Sequence, residues 1–321
     1  MSLLGIDLGG TKLALAIFSS EGAMQSREVI PLEDRKGGEV GALIKEQIGK
    51  LIREGTTTSN DIRSIGISVP GIYRIKEGTV WAPNIRDWDD YPLLKEVKTI
   101  TGRVPVTIDS DRACYILGEV WKGNARGCRD AVFLAVGTGI GAGIMVNGEV
   151  LRGSHDIAGA IGWMALSRPF KEEYTGCGCF EHHASGEGIA KVAKALLKEQ
   201  KDYAGELFTD QSKNITARDV FTAYAKGDVI SARVIQQGIE FWGMAVANIV
   251  SLFNPEKIIF GGGVFGPAVS LIPAIAKEAT RWSQPISIKQ VSIEASALGG
   301  DAGVYGAGFL AQATSTLNNQ L

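Results

Sequence analysis

Apolar residues recur with two different spacings along the first third of the chain. Short, nearly continuous apolar runs are typical of buried strands. Between the third and fourth predicted strands, residues 39–54 place aliphatic side chains three and four positions apart, as in an amphipathic helix. Strands that alternate with helices predict an α/β fold. The predicted strands cover residues 3–8, 12–18, 25–31, 63–68 and 105–108.

The remainder of the chain repeats this plan. A helix is predicted to begin near Asp111, and Asp109, Ser110 or Asp111 could each cap its first turn. Residues 163–180 show no periodicity and are predicted to form a long functional loop. The later pattern predicts strands at 131–136, 141–146 and 257–260, and helices near 184–198, 216–225, 228–253 and 299–313.

A glycine-rich turn connects the first two predicted strands. Gly9, Gly10, Thr11 and Lys12 follow Asp7 there. Glycines leave backbone N–H groups uncovered, so such a turn can hold phosphate oxygens. The carboxylate in front of the turn can hold a metal ion, directly or through water. For one turn of this kind, a tight hairpin without a ligand is the alternative.

Two further glycine clusters follow predicted strands. Residues 137–141 read Gly-Thr-Gly-Ile-Gly and come directly after the strand at 131–136. Residues 261–263 are three glycines, placed between the strand at 257–260 and a helix predicted from Pro267. A ligand can lie against the backbone where a strand turns into a helix. The repeated turns indicate a duplicated fold that holds a nucleotide between its halves.

Composition narrows the possible function classes. With 321 residues, the chain is long enough for two domains. The formal net charge of −2 gives no electrostatic reason to expect nucleic acid or an anionic membrane as a partner. No apolar run reaches the roughly 18 residues of a membrane helix, and we find no signal peptide. The sequence therefore predicts a soluble, cytoplasmic protein.

Cysteine and histidine residues cluster at one place. Cys177 and Cys179 are followed closely by His182 and His183. This spacing is compressed for a tetrahedral zinc site, so it favours a reduced loop ahead of a helix, with zinc as the alternative. The other two cysteines are expected to be buried or incidental thiols.

The glycine turns and several short motifs resemble the ROK family (repressors, open reading frames and kinases), which has the actin-like sugar-kinase fold. The resemblance covers nearly the whole chain. The residues that carry it are Asp7–Lys12 (DLGGTK), Ser68–Gly71 (SVPG), Ala82–Trp88 (APNIRDW), Asp109–Glu119 (DSDRACYILGE), Gly137–Gly141 (GTGIG), Gly153–Gly162 and Gly178–Glu181 (GCFE).

The resemblance implies a fold and an activity. Family members are mostly kinases that move the γ-phosphoryl group of ATP to a sugar hydroxyl, often at C6 of a hexose or aminohexose. The implied fold has two actin-like (ribonuclease H-like) α/β domains of the hexokinase and actin ATPase superfamily, with a cleft that closes on substrate. We expect one domain at 1–118 plus a returning helix at about 300–321, and the other at 119–299. Relatives are often dimers, so a homodimer is one expectation.

The resemblance also assigns roles to residues. Asp111 aligns with the catalytic Asp of the family and could take the proton of a sugar hydroxyl, although from the residues alone it could simply cap a helix. Asp7 would help to hold Mg²⁺, and ATP would be the phosphoryl donor. Expected ATP contacts are Gly9, Gly10, Thr11, Lys12, Gly137, Thr138, Gly139, Gly261, Gly262 and Gly263; expected sugar contacts are Gly71, Asn84, Ser110, Asp111, Trp163 and Glu181.

The chain departs from the family pattern on the sugar side. Ala160 and Trp163 replace a Glu and a His that normally bind sugar hydroxyls, and that His also binds a structural zinc ion. The first two zinc-loop cysteines of the family fall on Glu172 and Tyr174, and of the family's zinc ligands we find only Cys179. A single ligand cannot hold zinc, so we expect no structural zinc.

These departures affect the choice of acceptor. An indole can stack on the apolar face of a sugar ring or on an aglycone, so Trp163 and the small Ala160 favour a glycoside, disaccharide or modified sugar over free glucose. Trp163 could equally fill the space where the zinc loop packs in relatives. Ser110 replaces the usual Asn and can still donate one hydrogen bond. Asn84 could be an ordinary turn residue, and Glu181 a first-turn acid that suits the helix dipole.

Three functions remain open at this point. An ATP-dependent sugar kinase is favoured because both acids and all three glycine sites are present. The alternatives are a sugar- or nucleotide-binding sensor without turnover, and a kinase for another acceptor, such as a polyol. Family repressors carry an additional N-terminal helix-turn-helix domain. This chain begins two residues before its first predicted strand, so we do not expect DNA binding.

Overall fold

The computed structural model describes residues 2–58, 61–200, 202–207 and 214–318. These residues form two compact units, which we call the first and the second unit. None of the described helices is long and apolar enough to cross a membrane. The first unit contains Met1–Gly127, Val150–Ala158 and Asp301–Leu321, and the second contains Cys128–Glu149 and Gly159–Gly300.

The strands of the described chain form two five-stranded sheets and one small hairpin. Most of them coincide with the runs of aliphatic residues that the sequence places in strands. In chain order the strands are β1 (Ser2–Leu8), β2 (Lys12–Ser19), β3 (Met24–Pro31), β4 (Ile62–Val69), β5 (Ile72–Arg74), β6 (Thr79–Trp81), β7 (Val106–Ser110), β8 (Ala131–Val136), β9 (Ile140–Val146), β10 (Glu149–Val150), β11 (Lys257–Gly261) and β12 (Ser292–Ala295).

Local signals explain where several of the helices begin. Thr216 and Asp219 form a reciprocal capping box at one helix, and Asp228 accepts a hydrogen bond from the Ser231 amide at the next. The helices are α1 (Gly38–Thr58), α2 (Leu93–Thr101), α3 (Asp111–Lys122), α4 (Cys179–Ala184), α5 (Gly186–Glu199), α6 (Ala217–Ala225), α7 (Val229–Phe253), α8 (Ile272–Trp282) and α9 (Ala302–Asn318).

The sheet of the first unit has the strand order β3-β2-β1-β4-β7. β1 pairs antiparallel with β2 across the glycine turn, and β1, β4 and β7 run parallel. Side chains alternate between the two faces of a strand, so β1 sends Leu4, Ile6 and Leu8 to one face. There they join a core that includes Val40 and Ile44 of α1.

The other face of this sheet packs against the backbone of α9. Gly5 and Gly66 present no side chain to this helix, and a Cβ at Gly66 would overlap the carbonyl of Ala307. The Ser64 hydroxyl donates a hydrogen bond to the Ala311 carbonyl over 2.6 Å. The C-terminal helix therefore belongs to the first unit, and its close approach depends on glycine in β1 and β4.

The sheet of the second unit repeats the plan of the first. Its order is β10-β9-β8-β11-β12, with β8 antiparallel to β9 and parallel to β11, and β11 parallel to β12. Leu134 and Phe260 from these strands pack with Trp242 and Val246 of α7 in a single core. Most of α7 is buried, as its mainly apolar sequence predicts.

Some elements differ from those predicted by periodicity. Pro267 begins a 3₁₀ turn, Pro267–Leu271, and the α-helix starts only at Ile272. Residues 163–180 are not wholly irregular, because they contain the 3₁₀ turn Glu172–Gly176 and the start of α4. His182 lies within α4 and not in a loop ahead of a helix. The helix α3 also runs across residue 118, where we expected the first domain to be divided from the second.

Replacing Gly66 by Ala should destabilise the protein by about 1–3 kcal/mol, because the new methyl group meets the backbone of α9 and cannot be accommodated by a rotamer change. Thermal or urea unfolding, followed by circular dichroism, measures this change in the free energy of unfolding. Gly49→Ala in α1 is the matched control. There the new Cβ meets only the mobile end of Arg53, so the helix should gain about 0.5–1 kcal/mol. Equal effects of the two substitutions would contradict this packing.

Candidate active site

Polar motif residues of the first unit lie at the ends of its parallel strands. Asp7 is near the end of β1, Ser68 near the end of β4, and Ser110 ends β7. Carboxyl ends of neighbouring parallel strands meet at one edge of a sheet, where α/β proteins bind ligands. The register pairs Asp7 directly with Ser68, so the topology brings these motifs together from distant parts of the sequence.

Asp7 lies on the α9 face of the sheet. Its Oδ1 atom accepts a hydrogen bond from the Ser68 hydroxyl over 2.6 Å. A Cβ at Gly303, in the first turn of α9, would overlap the Asp7 carboxylate, so the helix begins against this group. Burial raises the pKa of Asp7 above its usual value, although the Ser68 hydrogen bond and the charge of Lys12 lower it.

The first glycine turn is closed by a hydrogen bond from the Gly9 amide to the Lys12 carbonyl over 2.9 Å. Gly10 faces Asn84, since a Cβ at Gly10 would lie 3.1 Å from the Asn84 Cβ. The side chains of Thr11 and Lys12 are exposed. The structure therefore brings one predicted sugar contact, Asn84, against a turn that is predicted to bind phosphate.

Asp111 is the first residue of α3, and the helix cap is Ser110, whose hydroxyl accepts from the Ala113 amide. The Oδ1 atom of Asp111 accepts from the Arg112 amide over 2.8 Å, and the Tyr115 hydroxyl lies 3.5 Å from Oδ2. Burial raises the pKa of Asp111 to about 6, while the charge of Arg112 opposes the rise. Such a carboxylate is mostly ionised at pH 7 and is basic enough to accept a proton.

Arg112 connects the predicted base with a predicted sugar contact. Its guanidinium donates to the carbonyl of Gly71 over 3.2 Å and to that of Ile157 over 3.4 Å. Gly71 has a φ of 85°, which favours glycine. Both partners lie more than 40 positions away in the chain, so sequence reasoning did not identify Arg112. The residue fixes the turn after β4 against the start of α3.

The glycine sites of the second unit meet at the ends of β8 and β11. The Gly137 amide donates to the Gly139 carbonyl over 2.9 Å, and the Gly186 amide donates to the Gly137 carbonyl over 2.8 Å. Gly262 has a φ of 87°, and a Cβ there would overlap the carbonyl of Val136. Two of the predicted nucleotide segments, 137–139 and 261–263, therefore lie side by side.

Glu181 contacts the first of these glycine segments directly. Its Oε2 atom accepts a hydrogen bond from the Ile140 amide over 2.6 Å. Burial raises the pKa of Glu181, and the hydrogen bond from Ile140 opposes that rise. Glu181, which is predicted to contact sugar, is thus hydrogen-bonded to the turn that is predicted to contact phosphate.

Trp163 ends a 3₁₀ turn that begins at Ile161, next to Ala160. Its side chain is 58% exposed. The alternative in which Trp163 fills a core space is therefore wrong, because the backbone of this turn carries the indole outward. An exposed indole beside a small residue is available for stacking on a ligand.

A ring cluster occupies the region of the family's zinc loop. Tyr174 is buried, and its hydroxyl lies 2.9 Å from His183 Nε2. The Gln237 amide nitrogen lies 2.8 Å from His183 Nδ1, and Phe241 stacks on the imidazole. Burial lowers the pKa of His183 to about 4, so the ring is neutral at pH 7. Within the described part of the chain, no group of three or more His, Cys, Asp or Glu residues could hold a metal.

The ROK family profile matches residues 3–314 of the chain. The chain belongs to the ROK family. A glucokinase from Halalkalibacterium halodurans is 32% identical over 312 residues, which cover 96% of this chain and 94% of that protein. A β-glucoside kinase from Listeria monocytogenes is 28% identical over 308 residues, which cover 96% of each chain.

Solved structures of ROK family proteins have the same fold. A glucokinase from Streptomyces griseus in complex with glucose and AMPPNP is 26% identical, with a TM-score of 0.77, covering 98% of this chain and 100% of that one. A ROK family transcriptional regulator, a homologue of the E. coli MLC protein, is also 26% identical, with a TM-score of 0.85. This match covers 98% of the present chain and 78% of the regulator. The predicted family and actin-like α/β fold are confirmed.

The donor set around Asp7 is compatible with the Mg²⁺ ion that ROK family kinases imply. Mg²⁺ is usually held by one or two carboxylates, with waters and substrate phosphates as the other ligands. Asp7 supplies one such carboxylate, ahead of a turn whose amides can approach phosphates. Its hydrogen bond from Ser68 leaves acceptor capacity on the carboxylate.

Replacing Asp111 by Asn should stabilise the fold at pH 7 by roughly 1–3 kcal/mol. The folded-state pKa of about 6 lies above the usual 3.8, so the ionised carboxylate costs stability above pH 6. This cost disappears as the pH falls from 6 to below 4, where Asp111 is protonated in both states. Unfolding midpoints of the two proteins at pH 7 and pH 3 measure the effect. The exposed Asp89, replaced by Asn, is the control and should change little at either pH; an equal gain from both variants would refute the burial cost.

Proposed function

We propose that the chain is an ATP-dependent sugar kinase that uses Asp111 as its general base. The observation that carries this proposal is the Asp111 carboxylate, which is held at the start of α3 with a pKa of about 6. Membership of the ROK family and the resemblance to glucokinases support the same activity. The proposed reaction transfers the γ-phosphoryl group of ATP to a hydroxyl group of a sugar, with C6 of a hexose derivative as the expected position.

The base has a defined task in this reaction. A sugar hydroxyl is a weak nucleophile, and a carboxylate within hydrogen-bond distance can accept its proton as the new P–O bond forms. Asp111 is ionised at neutral pH and carries hydrogen bonds that hold its orientation. Arg112 positions the Gly71 turn, and Ser110 can donate a hydrogen bond to the acceptor.

The glycine turns would bind the nucleotide. Phosphoryl transfer depends mainly on positioning and on neutralising the phosphate charge. The segments 9–12 and 137–139 would direct backbone amides at the phosphates, and 261–263 would pass close to the adenosine. Mg²⁺, when bound with ATP, would be held by Asp7 and would screen the phosphate charge.

The acceptor would be a sugar that carries a substituent, such as a β-glucoside or disaccharide. Trp163 is exposed and follows the small Ala160, at positions where the family pattern has polar sugar ligands. Each missing hydrogen bond removes about 0.5–1.5 kcal/mol of net binding. Stacking of the indole on an aglycone or a second sugar ring would offset that loss. The resemblance to a β-glucoside kinase agrees with this acceptor class.

Asp111→Asn should lower kcat by about 10²–10⁴-fold and leave AMPPNP affinity unchanged. In the unaltered protein, log kcat should fall with unit slope below pH 6, because protonated Asp111 cannot accept a proton, and should be flat above it. Coupled assays of ADP release from pH 5 to 8 measure both effects. Wild-type turnover in the variant would refute the assignment of the base.

Trp163→Ala should raise KM for a β-glucoside at least tenfold, or about 1.4 kcal/mol, and change KM for ATP little. Because Trp163 is exposed, the variant should keep its thermal stability. Trp163→Phe is the conservative control and should lose less. The double variant Ala160→Glu, Trp163→His should shift the ratio of kcat/KM values toward free glucose. An unchanged KM for every acceptor tested would exclude Trp163 from acceptor binding.

A further inference from the structure

Glu181 occupies a slot between two glycine residues. A Cβ at Gly139 would lie 2.7 Å from Glu181 Oε2, and a Cβ at Gly162 would lie 2.9 Å from the same atom. Real Cβ atoms essentially never come this close to another heavy atom, so a side chain at either position would have to displace the Glu181 carboxylate. The slot places Oε2 on the Ile140 amide, at 2.6 Å.

The backbone that carries Glu181 is itself fixed. Phe180, its neighbour in α4, is fully buried in the core of the second unit. The indole N–H of Trp242 donates to the Ala184 carbonyl at the end of α4 over 3.1 Å. The side chain of Glu181 therefore projects from a rigid helix and can hold the neighbouring turn in place.

Hydrogen bonds hold the 137–140 turn against α4 and the start of α5. The Gly186 amide donates to the Gly137 carbonyl, and the Glu187 amide donates to the Thr138 carbonyl at 3.4 Å. These bonds hold the first half of the turn, and the Glu181 carboxylate holds its last residue. A carboxylate that is already bonded to a backbone amide has less capacity left for a sugar hydroxyl.

We propose that Glu181 is a positioning residue for the turn formed by residues 137–140, and that it keeps this turn in the form that binds nucleotide phosphates. The proposal rests on the proposed function, because it assigns the turn to ATP. It also implies that Glu181 restricts residue 139 to glycine, since the three atoms nearest to a Cβ at that position all belong to the Glu181 carboxylate.

Nucleotide affinity without acceptor tests the proposal directly. Glu181→Ala should weaken AMPPNP binding, measured by calorimetry, at least tenfold, whereas Glu181→Gln keeps an oxygen acceptor for the Ile140 amide and should stay within threefold of wild type. Glu206→Gln removes an exposed carboxylate of the second unit that pairs with Lys226, so it should change nothing. Unchanged AMPPNP affinity in Glu181→Ala, with a raised KM for the acceptor alone, would overturn the proposal.

A double-mutant cycle with Gly139→Ala gives a second test. In the wild-type background the new methyl group must displace the Glu181 carboxylate, so the melting temperature should fall by several degrees. In the Glu181→Ala background the obstacle is gone, and the same change should cost much less. Additive shifts would show that the slot does not hold the carboxylate and would overturn the proposal.

The two tests separate this proposal from the proposed function. If the wild-type protein binds AMPPNP but phosphorylates no acceptor, the kinase assignment fails while the role of Glu181 in the turn is still measured. If the wild-type protein phosphorylates an acceptor and the Glu181 variants bind AMPPNP equally well, the kinase assignment stands and the positioning role fails.

Discussion

Two carboxylates of the first unit, those of Asp7 and Asp111, lie at one edge of its sheet and are partly buried. Burial raises the pKa of both carboxylates, and the charge of Asp7 raises the pKa of Asp111 further. The structure offsets this cost with the Ser68 hydroxyl, with the Arg112 guanidinium, and with the first turns of α3 and α9, which favour negative charge. These groups reach one edge of the sheet because β1, β4 and β7 run parallel. The helix α9 returns to this sheet, where glycines leave room for its backbone.

The second unit has the same topology as the first, but its candidate site consists mainly of backbone turns. The turns that we propose to bind nucleotide carry few side chains, and the groups that shape these turns come from neighbouring helices. Glu181 and the Gly186 amide hold the segment at 137–140, while Gly262 allows the segment at 261–263 to approach Val136. Tyr174 and Gln237 lie within hydrogen-bond distance of the His183 ring, and the described residues contain no group of three or more potential metal ligands.

Much of the fold could be predicted from the sequence because most of its long strands are rich in apolar residues and its turns are rich in glycine. The motif residues Asp7 and Asp111 were identified for the same reason, since they directly follow or end such runs. Arg112 was not identified, because its partners Gly71 and Ile157 become neighbours only in the folded chain. The exposure of Trp163 depends on the direction of a short 3₁₀ turn, which local sequence does not determine. The short strands β5, β6 and β12 contain too few residues to show a period.

Phosphoryl transfer to a sugar is tested most directly by phosphorus NMR of the protein with Mg²⁺, ATP and a pool of free hexoses, β-glucosides and disaccharides. We expect ADP and a new phosphomonoester signal to appear in equal amounts, with the phosphoryl group on a sugar hydroxyl. ADP that appears with inorganic phosphate alone would contradict the transfer reaction. Unchanged ATP in the presence of bound sugar would contradict turnover altogether and would indicate a sensor.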